Sequence, residues 1–351
     1  MEKILMKGNE ALAEGALSAG CKAFFGYPIT PSSEIAEYMA RKFPLLGGTF
    51  VQAESELAAI SMVYGGASTG ARVMTASSGP GISLKSEGIS FLAEAELPCL
   101  IVNISRGGPG LGGIQPAQSD YFQATRGGGH GDYNIMVLAP SSVQEMLDFA
   151  MEGFDLADQY RIPVMVMAEG TLGQMMEPIT PRAKVTQFQA KPWATDGCKG
   201  RQPNVVNTLH LSPEFLEYRN KVLQEKYKLI KANEQKAETY RTEDADLVVV
   251  AFGLMSRIVR KAVMTAREQG YKVGLIRPVT LWPFPVDAVR EAAAQAKLFL
   301  SVEISMGQMV EDVRLAVEGR VPVEFYGRIG MIPSPEEIGR QIIQLAQREG
   351  L

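Results

Sequence analysis

The sequence predicts an α/β protein built on parallel sheets, and three observations carry that expectation. Short, continuously apolar runs such as PCLIVNI (98–104) and IPVMVMA (162–168) recur along the chain, as strands buried on both faces require. Stretches with apolar residues at helical spacing separate them. The 351 residues exceed what one ordinary core holds, so more than one domain is expected.

Residues 8–20 (GNEALAEGALSAG) predict a helix and 22–26 (KAFFG) a strand. In GYPITPSSE (26–34), Pro31 suits a first helical position with Thr30 as its N-cap, so a helix is expected from Pro31 to about Lys42. The competing reading of that stretch is a hydroxyl held rigidly to serve a ligand. A strand at 49–52, a helix from Ser55, a strand at 72–76, a helix at 80–93 and a strand at 98–104 follow. After a glycine-rich loop come strand 135–139, helix 142–159 and strand 162–168. This first unit is taken as residues 1–170.

Residues 171–244 interrupt the rhythm. Pro178, Pro181, Pro192 and Pro203 scatter through a polar stretch, which reads as a turn-rich connector. Within it, 213–239 has apolar residues at helical spacing among many charges. That pattern fits a solvated helix, or one that docks a partner subunit. A second βα series then fills 245–351, with strands at 246–251, 272–276, 298–302 and 322–326. Its helices are expected at 256–269, 285–296, from about Met309 and at 335–348, with Ser256 capping the first of them. RPVTLWPFP (277–285) reads as a segment that packs on the first domain or on a partner.

Composition narrows the function. The chain is 46% hydrophobic and 21% charged, with a net charge of −4 and no Lys/Arg run among aromatics, which argues against nucleic acid. No apolar run approaches the roughly 20 residues that span a bilayer, so no membrane is expected as partner. The N-terminus turns polar too early for a signal peptide, which predicts a cytoplasmic protein. Cys21, Cys99 and Cys198 lie far apart without a CxxC, so a four-cysteine iron–sulfur cluster cannot be housed by this chain alone. With His130 and His210 the only histidines, a zinc site is improbable and no metal ligand is assigned.

Ligands of open parallel sheets bind beyond the carboxyl ends of the strands. Four segments fall there: GYPITPSSE, QAESE, ASSGPG and NISRGGPGLGGIQPAQSD. The glycine-rich ones let backbone N–H groups approach an anion, although neither matches a P-loop nor a full dinucleotide fingerprint. Glu54 and Glu56 flank Ser55 at a helix start, where the helix dipole favours carboxylates; a buried one could instead bond a ligand's ring nitrogen. Arg106 leaves a buried strand into a glycine loop, placed either to clamp a carboxylate or to make a structural ion pair. His130, in RGGGHGDY, reads as a general base or as a packed histidine.

Taken in order, GYPITPSSE, ESE, TASSGPG, NISRGGPG and GGGHGD resemble the α-type subunit of the 2-oxoacid:ferredoxin oxidoreductases. The resemblance covers essentially the whole chain. It implies a pyrimidine-type thiamine diphosphate domain over the first 170 residues and a transketolase C-terminal-like α/β domain over 245–351. It implies Glu56, nine residues before Gly65, as the carboxylate that hydrogen-bonds N1′ of the thiamine aminopyrimidine, with Tyr27 and Pro28 beside the cofactor. Thr30 and Arg106 are implied as substrate-binding and catalytic residues that hold the 2-oxoacid carboxylate.

The GDG…N pattern that holds Mg²⁺ and the diphosphate is absent, HGDY and TDGC being the nearest strings. The resemblance therefore implies a cofactor shared with a β-type subunit, with Mg²⁺ and the 4Fe–4S clusters in partners that include γ-type and ferredoxin-like δ subunits. Coenzyme A and ferredoxin are the implied co-substrates. SRGGPGLGGIQPAQSDYFQATRGGGHGDY is similar to the branched-chain (2-oxoisovalerate) group, with 2-oxoglutarate or pyruvate as alternatives. A second carboxylate would need a second cation, for which Arg126 and His130 are the local candidates. A non-redox thiamine enzyme component and a non-catalytic scaffold are the competing classes.

Overall fold

A computed structural model describes residues 3–351; the first two residues of the N-terminal stretch read against a signal peptide lie outside it. The first half runs β1 (Ile4–Lys7), α1 (Gly8–Ser18), β2 (Ala23–Gly26), α2 (Ser33–Leu46), β3 (Thr49–Gln52), α3 (Glu56–Ser68), β4 (Val73–Ser77) and α4 (Pro80–Glu94). It continues with β5 (Cys99–Ser105), α5 (Tyr121–Thr125), β6 (Met136–Leu138), α6 (Val143–Tyr160), β7 (Pro163–Glu169), α7 (Gly170–Gln174) and β8 (Met176–Ile179). The second half holds α8 (Pro213–Asn233), β9 (Ala237–Tyr240), β10 (Leu247–Val250), α9 (Gly253–Glu268), β11 (Val273–Pro278) and β12 (Thr280–Trp282). It closes with α10 (Val286–Ala293), β13 (Leu298–Glu303), α11 (Met309–Val317), β14 (Val323–Gly327) and α12 (Pro335–Arg348).

A seven-stranded sheet in the order β12-β6-β7-β5-β4-β2-β3 organises the first half. Every residue of β4, β5 and β7 is buried, which is why those strands read as unbroken apolar runs. A five-stranded sheet, β14-β13-β10-β11-β9, organises the second half. Its core joins the strands to α9 and α12 through Val249, Leu300, Val259, Ile338 and Ile342.

Several elements depart from the sequence expectation. The helix after GYPITP begins at Ser33 with Ser32 at the N-cap, so neither the N-cap role of Thr30 nor the first-position role of Pro31 holds. Ser32 Oγ instead donates to the Ile29 carbonyl (3.0 Å), closing a turn ahead of the helix. Ser256 is not a cap: α9 starts at Gly253, and the Ser256 hydroxyl donates back to the Gly253 carbonyl (2.7 Å). The charged helix ends at Asn233 rather than residue 239, because Ala237–Tyr240 pairs antiparallel with β11.

That helix also divides into two halves. Leu223, Tyr227 and Ile230 are buried, with Tyr227 edge-on to Trp282 (5.7 Å), whereas Phe215, Leu216 and Tyr218 stay exposed. In RPVTLWPFP, Thr280–Trp282 adds to the first sheet as an antiparallel edge strand on β6. The pairing of β1 with β8 was not foreseen, since four-residue edge strands carry too little periodicity to read.

Helix α1 packs backbone to backbone on α6. A Cβ at Gly15 would overlap the Leu147 carbonyl oxygen, which belongs to a helix backbone and cannot step aside. Alanine ordinarily favours a helix over glycine by about 1 kcal/mol, so propensity and packing oppose each other here. Gly15→Ala is expected to lower stability by about 1–3 kcal/mol, read as a lower unfolding midpoint in denaturant. A stabilised variant would show that the two helices separate freely.

Candidate active site

The sheet order places the four singled-out loops side by side. They follow β5, β4, β2 and β3, which are consecutive neighbours, so all leave the same carboxyl edge. The chain leaves β2 for β3 on one side and returns to β4 on the other. The crevice between β2 and β4 is therefore the topological switch point.

Arg106 stands at the end of β5, nearly buried. Its Nη1 donates to the Thr30 carbonyl (2.8 Å) and its Nη2 to the Leu111 carbonyl (3.2 Å), while Nε has no partner within the chain. The guanidinium thus fastens the YPITP loop to the glycine loop and keeps one donor free. Asn9 Nδ2 holds the same loop from below through the Pro31 carbonyl (2.8 Å) and the Glu34 carboxylate (2.9 Å). Thr30, Tyr27 and Pro28 are exposed on its outer side.

Glu56 is the first residue of α3 and is buried, whereas Glu54 is exposed. Ser55 caps the helix, accepting from the Ala58 N–H at 3.1 Å. The N-terminus of α4 is the floor on which the segments meet. A Cβ at Gly81 would sit 2.9 Å from Glu56 Oε1 and collide with Ser77 Oγ, and one at Gly79 would touch Arg106 Cγ at 3.8 Å. The buried hydroxyls of Ser77 and Ser78 have no hydrogen-bond partner there. Glu56 and Arg106 therefore meet around one helix start, and Thr30 is tied to it through its carbonyl on Arg106; Tyr27 and Pro28 are exposed on the loop that precedes Thr30.

An open cleft of about 770 Å³ runs from this floor to the second sheet, lined by Gly79, Pro80, Arg106, Asp120, Phe122 and Met306 among others. Sequence reading missed the residues that build its far wall. Gln118 Oε1 accepts from the Ile304 N–H (3.0 Å), and Gln118 Nε2 donates to the Phe252 carbonyl (3.1 Å). Gln308 bonds the Phe122 N–H (2.8 Å) and the Ser119 carbonyl (2.7 Å). The buried Glu303 carboxylate accepts from the N–H groups of Gln308, Met309 and Val310, fixing the VEISMGQM loop against α11.

Asp120, beside Arg106 in the cleft, has its carboxyl raised by burial, with Asn103 Nδ2 donating to it at 3.0 Å. The only signal for these residues was their polarity after a glycine loop, which a solvated loop shares. Neither second-cation candidate lines the cleft. Arg126 pairs with Asp312 (2.9 Å). His130 packs edge-on against Phe91 (5.9 Å), and its carbonyl accepts from Ser90 Oγ (2.7 Å).

Two mostly parallel α/β units, with a cleft beyond the carboxyl ends of β4 and β5 in the first, are the arrangement of a cofactor-binding α/β protein. Residues 14–247 match the family described as pyruvate flavodoxin/ferredoxin oxidoreductase, thiamine diphosphate-binding, and residues 245–338 match core domain II of pyruvate:ferredoxin oxidoreductase. The chain belongs to the 2-oxoacid:ferredoxin oxidoreductases as an α-type subunit. It is 55% identical, over 93% of each chain, to the ketoisovalerate oxidoreductase subunit VorB of Methanothermobacter thermautotrophicus. It is 40% identical to the 2-oxoglutarate synthase subunit KorA of the same organism, covering 98% of this chain and 99% of that one.

The solved 2-oxoglutarate:ferredoxin oxidoreductase of Magnetococcus marinus superposes with a TM-score of 0.85 at 28% identity, over 98% of this chain and 65% of that one. A split-gene transketolase shares the fold at 12% identity and a TM-score of 0.61. The residues present fit an aminopyrimidine: Glu56 is a buried acid, and Gly81 leaves its Oε1 without a side chain beside it.

The wall between the sheets has a titratable centre. Glu169, at the end of β7, is fully buried and accepts from Gln118 Nε2 and from the Leu254 N–H at 3.3 Å. Burial pushes its carboxyl up from 4.5 to about 7. A raised acid stabilises the fold fully below the unfolded value, and that contribution is lost as pH rises through about 7. Between pH 4.5 and 7 the protein is expected to lose about 3 kcal/mol through this group. Glu169→Gln keeps the acceptor oxygen and should flatten that part of the stability–pH curve in denaturant titrations. An unchanged slope would place the loss elsewhere.

Proposed function

We propose that this chain supplies the aminopyrimidine half of a thiamine diphosphate site completed by a β-type subunit. The enzyme would oxidatively decarboxylate a branched-chain 2-oxoacid to acyl-coenzyme A and CO₂ while reducing ferredoxin. The observation that carries the reading is the convergence of buried Glu56 and nearly buried Arg106 on the start of α4. When bound, thiamine diphosphate supplies a nucleophilic carbon and an electron sink for loss of CO₂. Glu56 would hold the proton at N1′ of the aminopyrimidine, and Tyr27 and Pro28 would border the ring. Arg106, through its free Nε, would bind the substrate carboxylate together with Thr30, whose carbonyl Arg106 already fixes.

The cleft supports an apolar substrate tail. Arg106 is the only cation among its lining residues, and Phe122, Met306 and Ile329 offer apolar contact. The 2-oxoglutarate reading draws on relatives of 40% and 28% identity. Mg²⁺ and the 4Fe–4S clusters are assigned to partners, with γ-type and ferredoxin-like δ subunits completing a cytoplasmic complex. An apolar face supports the docking of a partner: Leu57 and Met62 on α3, with Leu84 and Phe91 on α4, are exposed directly outside the Glu56 site.

The isolated chain is expected to reduce no viologen with any 2-oxoacid. The co-purified complex, assayed anaerobically with coenzyme A, should show its highest kcat/KM for a branched-chain 2-oxoacid; a preference for 2-oxoglutarate would overturn the substrate assignment. In that complex, Glu56→Gln should cost roughly 10²–10⁴ in kcat. Arg106→Met should cost roughly 10–100-fold in kcat/KM, mostly through KM. Unchanged turnover in Glu56→Gln leaves a scaffold subunit as the only reading.

A further inference from the structure

The short helix α5 borders the cleft, and its second residue, Phe122, is part of the lining with Arg106, Met306 and Ile329. Five residues are too few for a helix to hold its own shape, so side chains elsewhere must fix it. They come from the second half of the chain. Gln308 accepts from the Phe122 N–H (2.8 Å) and donates to the Ser119 carbonyl (2.7 Å). The buried Asp312 carboxylate accepts from the Tyr121 hydroxyl (2.6 Å) on one oxygen and from Arg126 Nη2 (2.9 Å) on the other. Arg126 is four residues after Phe122, on the same side of the helix, and its guanidinium lies over the Phe122 ring at 5.4 Å. Neither Arg126 nor Asp312 lines the cleft. Met306, by contrast, is 75% exposed on a flexible thioether chain.

We propose that Phe122 is the specificity-determining residue for the substrate's tail, a rigid gauge held in place from the second half of the chain by Gln308 and the Arg126–Asp312 pair. The inference rests on the proposed role of Arg106 as the cation that takes the substrate carboxylate. An acid anchored there by one end extends its tail into the cleft, where the ring limits the bulk that fits. A small branched aliphatic tail packs beside the ring, whereas a tail carrying its own ring needs the space that Phe122 occupies. Asp312 touches no substrate; it is a positioning residue that acts through Arg126 and Tyr121 on the ring between them.

The test compares 2-oxoisovalerate with phenylpyruvate in two measurements on the co-purified complex. One is kcat/KM, assayed anaerobically with coenzyme A; the other is calorimetric affinity for each acid in the complex stripped of cofactor. Phe122→Ala should raise the ratio of phenylpyruvate to 2-oxoisovalerate by about tenfold in both, and Phe122→Leu, which keeps an apolar side chain at the site, by a smaller factor. Asp312→Asn should move the ratio the same way by about threefold, and by less than about twofold when added to Phe122→Ala, because its effect passes through the ring. A merely structural role for Asp312 would lower both substrates together and leave the ratio alone. An unchanged ratio in both Phe122 variants would overturn the proposal, and a full threefold shift added by Asp312→Asn to Phe122→Ala would overturn the positioning role. Arg106→Met should weaken both acids alike; unchanged affinity there would instead remove the Arg106 assignment on which the proposal rests.

Discussion

At Gly81 the start of α4 has no room for a side chain, and the site depends on that constraint. Gly81 lets the helix backbone lie against Ser77 and Glu56, and Gly79 turns the chain beside Arg106. Any Cβ at Gly81 would displace the carboxylate or the hydroxyl, because Oε1 is 2.9 Å away and Ser77 lies on a fully buried strand. The acid, the guanidinium and the unpartnered hydroxyls therefore converge through backbone proximity rather than through direct bonds among themselves. Ser77, Ser78 and the Arg106 Nε are buried without partners inside the chain, as a binding site requires and a packed core avoids.

The second half of the chain matters to this site through a single seam. Gln118 touches the ends of β7, β10 and β13 at once through Glu169, Phe252 and Ile304, and Gln308 returns two bonds to the segment 119–122. Tyr121 adds a buried bond to Asp312 (2.6 Å). The cleft floor comes from the first sheet and its wall from the second, so its width is set by side-chain amides rather than by a continuous core. A seam of this kind holds position while remaining sensitive to the charge on Glu169.

Much of the first sheet was legible because strands buried on both faces leave unbroken apolar runs, and 98–104 and 162–168 fall on β5 and β7 almost residue for residue. The loops that meet at the switch point could be picked out for the same reason. What stayed hidden was short or non-local. Three-residue β12 pairs with a strand more than a hundred residues earlier, and nothing local signals that. The Thr30 cap failed because propensity statistics describe a helix start and could not foresee that the turn closes through Ser32 and Ile29 first. Gln118 and Asp120 carried no distinguishing signal, since burial in a seam leaves no mark on sequence period.

The same geometry explains why the site is half of something larger. Glu56 opens α3, and the outer faces of α3 and α4 present Leu57, Met62, Leu84 and Phe91 to solvent. Within this chain Gly65, on that face, meets no atom where a side chain would be, so its bareness serves no internal packing. Buried charges under an exposed apolar surface are a poor arrangement for an isolated protein: the surface gains nothing from water and the charges gain no solvation. Covering that face with another subunit would bury apolar area directly beside the Glu56 site. The electrostatics of the site and the association of the subunits would then be two consequences of one contact.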